Sequence, residues 1–196
     1  MLIGAIAWGA LGCMAGKASG QAEPGTAAST DEETLRRARR QFEEALARLT
    51  AGDCVGALVL LNEVAAVKMT PQVRFNIGWC EESLGRLNAA LGEYEQAALE
   101  AKEKGVSDVA AEAQKGVTAV QARLPKVVIT RGAGAEYATV LLDGVILGEK
   151  ALGADLPLDP GPHVIDATAA DRKAFHAVFN IAGGERKVVS VTLAAR

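Results

Sequence analysis

The chain offers few residues whose type and spacing could carry a reaction. It has two histidines, His163 and His176, and neither has a second ligand at metal spacing. Its three cysteines, Cys13, Cys54 and Cys80, contain no C-x-x-C pair. None of the five serines lies in the G-x-S-x-G turn that exposes a nucleophile. Gly132-Ala133-Gly134-Ala135 lacks the Lys-Ser/Thr of a phosphate loop and precedes a strand pattern, so it reads as a flexible hairpin end. Asp143-Gly144 lacks the alternating carboxylates of a calcium loop. Glu81-Glu82 and the Glu93/Glu95 pair fall on helix surfaces and need no acid–base role. The Pro160-Gly161 turn accounts for His163 better than metal ligation does. These absences argue against an enzyme, a metal or a cofactor and direct attention to binding.

Bulk properties agree. At 196 residues, 49% hydrophobic and 23% charged, the chain is globular and suits one or two small domains. A net charge of −3 gives no general pull toward nucleic acid. Arg36, Arg37, Arg39 and Arg40 look like a basic patch. However, Glu32 and Glu33 precede the first two by four, and Glu43 and Glu44 follow the last two by four. That spacing predicts ion pairs along one solvated helix face.

The elements that would position a binding surface are repeated. Gly52-Asp53-x-x-x-Ala57 recurs as Gly85-Arg86-x-x-x-Ala90, a step of 33 residues, and Leu61/Tyr94 and Val64/Ala97 keep it. A helix hairpin that recurs cannot bury its apolar face alone, so it stacks on its neighbour and leaves a concave surface. Thr30-Asp31-Glu32-Glu33 is a capping box that predicts a first helix over about 31–50, preceded by a flexible tether over 23–30. Further helices are predicted over about 53–68, 71–84 and 87–104, with Pro71 at a first helical position. Ser107 would cap a fifth that ends before Pro125.

Beyond Pro125 the period changes from 3.6 to 2. Thr139–Leu142, Asp143-Gly144 and Val145–Leu147 form a hairpin signal. Strands are also predicted at Val127–Thr130 and at His163–Ala169, after the Asp159–Pro162 turn. Alternation of Phe175, Ala177, Phe179 and Ile181, and of Val189, Val191 and Leu193, predicts two more. The fold class expected is α+β in two domains: five helices over 31–124, then a small β-sandwich over 126–196.

The helical residues carry a resemblance. Ile77-Gly78, Gly85, Ala90 and Tyr94, with Ala45, Gly52, Ala57 and Pro71 before them, resemble tetratricopeptide repeats. Leu142-Asp143-Gly144, Gly148, Pro160-Gly161-Pro162-His163 and Gly184-Glu185 occur in the order of the PEGA domain, a small surface-associated β-sandwich, which 126–196 resembles. Together the two modules look like a bacterial envelope architecture. The resemblance implies interaction or scaffolding and supplies no catalytic residue. It also implies a groove lined by the first helix of each repeat. Here those helices contribute Arg39, Phe42, Leu46 and Leu49, then Gln72, Phe75, Trp79, Glu82 and Ser83. Phe42, Leu46, Phe75 and Trp79 form an apolar stripe with a charged rim, fit for a protein or peptide partner unless the fifth helix or the β-domain covers it.

Leu2 to Gly16 is apolar and uncharged, shorter than the roughly 20 residues of a membrane span, and matches a secretory leader over 1–22. Gly20-Gln21-Ala22 would be its cleavage site, leaving Glu23 first. Ala10-Leu11-Gly12-Cys13 also resembles a lipobox, so cleavage, lipidation at Cys13 and an uncleaved anchor all stay open. Each predicts export to the periplasm or outer surface. The two remaining cysteines, Cys54 and Cys80, fall in helices expected to be neighbours, so they are either a disulfide or two buried thiols. An alternative function is a carbohydrate- or cell-wall-binding β-domain, with Tyr137, Phe175 and Phe179 as its aromatics.

Overall fold

The computed structural model describes residues 24–196. The expected leader, the expected cleavage site and Cys13 lie outside them. Five helices come first: α1 (Pro24–Thr50), α2 (Cys54–Val67), α3 (Pro71–Ser83), α4 (Leu87–Glu103) and α5 (Ser107–Arg123). Seven strands follow: β1 (Lys126–Arg131), β2 (Thr139–Leu142), β3 (Val145–Ile146), β4 (Leu156–Pro157), β5 (Gly161–Thr168), β6 (Phe175–Ile181) and β7 (Arg186–Val191). The α+β two-domain layout expected from the sequence is the one observed. Among the described residues no helix is long and apolar enough to cross a membrane.

The helix hairpins turn where the repeat predicts. Gly52 and Gly85 hold φ of +80° and +77°, a region an L side chain rarely adopts. In each, the next N–H returns to the helix it has just left: Asp53 to the Arg48 carbonyl at 2.9 Å, Arg86 to the Glu81 carbonyl at 2.9 Å. The apolar faces of α1, α2 and α3 meet over Ala45, Ala57, Leu61, Val73 and Ile77. A second cluster joins α4 and α5 through Leu87, Ala90, Tyr94, Val117 and Val120. Burial of this kind, worth about 25 cal/mol per Å² of apolar surface, holds the stack together.

Three helical details differ from expectation. Residues 24–30 are not a tether but the first turns of α1, which begins at Pro24. Proline suits a first helical turn, and nothing between Gly25 and Asp31 breaks the helix, so Thr30 lies inside α1 and is no N-cap. Ser107 is the first residue of α5 rather than its cap, and no side-chain bond caps that end. Of the four arginines, Arg36 pairs with Glu32 as predicted, whereas Glu44 pairs with Arg48 one turn further on.

The β-domain is a sandwich of two sheets, ordered β4-β1-β7 and β3-β2-β5-β6. Val127, Ile129 and Val191 from the first sheet face Val140, Ile165, Ala167 and Ile181 from the second. β1 and β7 pair in parallel from Lys126↔Arg186 to Arg131↔Val191. The β2–β3 turn places Asp143 at φ +48° and Gly144 at +79°, the twist a two-residue hairpin requires. The 132–135 segment is no flexible hairpin end. Ala135 is fully buried, Gly132 donates to the Val191 carbonyl, and a Cβ on Gly134 would meet the Leu193 carbonyl oxygen at 2.1 Å.

The two domains join without a linker. Leu124 packs in the helical core, Pro125 is buried, and β1 starts one residue later. Gly184 in the β6–β7 turn donates to the Arg123 carbonyl at the end of α5 at 2.7 Å.

Candidate functional site

α1 packs along α2 and barely touches α3, which packs instead on α2 and α4. A furrow is left between α1 and α3. Its first section, about 340 Å³, is lined by Leu35, Ala38, Arg39, Phe42, Glu43, Val64, Lys68, Thr70 and Val73. Its second section, about 440 Å³, is lined by Leu46, Leu49, Thr50, Phe75, Asn76 and Trp79. The α1 residues that line the two sections run from Leu35 to Thr50, about 22 Å of helix.

Most residues predicted to line a groove converge here. Phe42 and Arg39 stand in the first section, Leu46, Leu49, Phe75 and Trp79 in the second. Trp79 is 41% exposed and Leu46 37%. Phe75 is half-buried, with its ring 5.6 Å from Tyr94 and its far side in the α4–α5 cluster. Tyr94 of α4 therefore covers part of Phe75, while Trp79 stays open. Gln72 and Ser83 are exposed on α3 but line neither section.

Glu82 is a correction. Its Oε2 accepts from the Tyr94 hydroxyl at 2.8 Å, and its Oε1 accepts from Arg123 at 2.6 Å. One turn of helix carries it past the furrow toward α4 and α5, so it braces the fold and is no free rim charge. Burial first, then the bond to Glu82, raises the Tyr94 hydroxyl pKa well above its ordinary value. Glu81 and Glu93 are also engaged rather than free on the surface, with Arg86 at 3.1 Å and Arg74 at 3.2 Å.

The sequence reading missed the far end of the furrow. Leu35 was not among the groove residues expected, but α2 stops at Val67 and leaves Leu35 38% exposed in the first section. Helix length mattered here, and periodicity does not report it.

Cys54 and Cys80 lie in one core cluster, both buried and both free thiols. Burial first, then the neighbouring Cys54 thiol, pushes the Cys80 pKa up to about 12. Among the described residues no group of three or more His, Cys, Asp or Glu side chains is arranged to hold a metal. His176 reaches Asp166 at 2.7 Å, and His163 lies between Asp143 and the Asp159 carbonyl.

No protein-family model matches the chain, and no curated protein matches it.

Proposed function

We propose that the chain is a non-enzymatic interaction protein whose α1–α3 furrow holds a segment of a protein or peptide partner. The observation that carries this reading is Trp79, 41% exposed in an apolar cleft beside Leu46, Leu49 and Phe75. Aromatic anchors in open clefts dominate contact energy. A partner segment that engaged both sections along the roughly 22 Å of α1 between them would take about six extended residues or four helical turns. The resemblance of the hairpins to tetratricopeptide repeats supports the reading, since those repeats bind along the first helices. The PEGA-like sandwich then serves as a spacer or second contact. The apolar stretch Leu2–Gly16 supports export to the periplasm or outer surface, as a soluble or lipid-anchored protein.

A second reading, carbohydrate binding by the β-domain, is favoured by Tyr137, which is 95% exposed. Phe175 and Phe179 pack against the sandwich core, which counts against it. The full chain with Trp79→Ala and with Tyr137→Ala separates the two. Loss of envelope-protein capture in the first variant alone, with its circular dichroism intact, supports the furrow. Loss of glycan pull-down in the second alone moves the site to the sandwich. Unchanged capture by a folded Trp79→Ala protein overturns the furrow.

A further inference from the structure

The two helix hairpins differ at a position that the 33-residue step makes equivalent. In the first, Asp53 caps α2, its Oδ1 accepting from the Gly56 N–H at 2.8 Å. In the second, Arg86 stands there, reaches Glu81 at 3.1 Å and caps nothing. An acceptor nevertheless meets the first turn of α4. Asp159, in the loop ahead of β5, accepts through Oδ1 from the Asn88 backbone N–H at 2.8 Å and from its side-chain Nδ2 at 3.1 Å. The cap that the repeat lost is supplied by the other domain.

His163 holds the loop that carries Asp159. Its Nε2 lies 2.8 Å from the Asp159 carbonyl and its Nδ1 2.7 Å from Asp143 Oδ2. Asp143 is itself fixed, since its Oδ1 accepts from the Val164 N–H at 2.8 Å. Both ring nitrogens therefore face acceptors, and only the imidazolium can donate from both. The charged groups facing the ring are Asp143, from the β2–β3 turn, and Asp159, while Phe179 of β6 packs near it at 5.6 Å.

We infer that Asp159 caps the first turn of α4 from across the domain junction, in place of a side-chain bond from Arg86, and that His163 locks its loop, making the docking of the β-domain on the helices a pH-sensitive latch. Burial, the largest influence on His163, lowers its pKa. The bonds to Asp143 and to the Asp159 carbonyl, with the charge of both carboxylates, outweigh it and raise the pKa above the ordinary 6.5. A raised folded-state pKa means that the latch is at full strength below the unfolded value. It weakens as pH rises through the folded one.

Amide exchange by NMR on the full chain tests the cap. Asp159→Ala is expected to speed exchange at Asn88 about tenfold and to leave Gly56, capped within its own hairpin, unchanged. Adding Arg86→Asp should protect the Ala89 amide, as Asp53 protects Gly56, without restoring docking read from residual dipolar couplings. Raising the pH from about 6 to about 8.5 should loosen docking in the parent and not in His163→Gln. Unchanged Asn88 exchange in a folded Asp159→Ala protein overturns the cap. Docking that ignores pH, or a pH dependence that survives His163→Gln, overturns the latch. The pH series leaves Asp159 intact, so it decides the latch even where Asp159→Ala fails to fold. In that case Asn88→Ala, which deletes one of the two donors to Asp159, must also loosen docking or the cap falls.

Discussion

Gly116 of α5 abuts the Tyr94 ring of α4, so close that a Cβ there would stand 2.8 Å from it. On the other side, Gly78 of α3 leaves 3.0 Å for the same addition. One buried ring thus sets the approach of three helices against bare backbone. Alanine in a helix ordinarily gains about 1 kcal/mol over glycine. At Gly116 the overlap outweighs this, and we expect Gly116→Ala to destabilise by about 1–3 kcal/mol. Gly92, also within α4, has nothing within 4 Å of its added Cβ. Gly92→Ala should therefore stabilise by about 0.5–1 kcal/mol. Urea unfolding of the pair measures both, and two changes of the same sign would contradict the packing.

The Tyr94 hydroxyl and Arg123 converge on Glu82 from two helices, at 2.8 and 2.6 Å. Glu82→Ala removes the shared acceptor and leaves a buried hydroxyl unpaired, a loss of about 1–3 kcal/mol. Because Glu82 faces away from the furrow, partner capture at a temperature where the variant stays folded should be unchanged. A binding loss without a shift in melting would return Glu82 to the docking surface.

The fold was legible where one residue type answers a local need. Glycine at 52 and 85 was required by left-handed backbone, Pro71 by a first helical turn, and Asp143-Gly144 by a tight hairpin. The α1 start was misread because a capping box and a helix interior share the same letters, and only the chain before Thr30 distinguishes them. The parallel β1–β7 pair and the short β4 join segments distant in sequence, which no local period reports. In the furrow, Phe42, Leu46, Phe75 and Trp79 followed from the resemblance to tetratricopeptide repeats, whose first helices line a groove. The same resemblance puts Glu82 there, but its partners Tyr94 and Arg123, from later helices, hold it elsewhere.

Cys54 and Cys80 are unreactive as they stand. Attack on a reagent needs the thiolate, and burial holds Cys80 near a pKa of about 12. Protein purified under reducing conditions should show neither thiol to a disulfide reagent at about pH 7.5, and both after unfolding in urea. Rapid labelling of the native protein would mean that the α2–α3 core opens readily. Protein taken from an oxidising compartment that shows no thiol even in urea would carry the bridge instead.

Arg74 ties α3 to α4 through two carboxylates, Glu100 at 2.6 Å and Glu93 at 3.2 Å. The bond from Arg74 is the largest influence on Glu100 and holds its pKa below the ordinary 4.5, against the opposing effect of burial. A depressed folded-state pKa contributes stability that is present above the unfolded value and is lost as pH falls through the folded one. Glu100→Gln keeps the shape but removes that charge, and should cost about 1 kcal/mol near neutral pH. The gap between variant and parent should narrow as pH falls below the ordinary 4.5 and close once it has passed the lowered folded-state pKa, where the parent carboxyl is protonated too. Urea midpoints measured across that range give the test. A gap that persists at the acid end would assign the loss to packing and not to the ion pair.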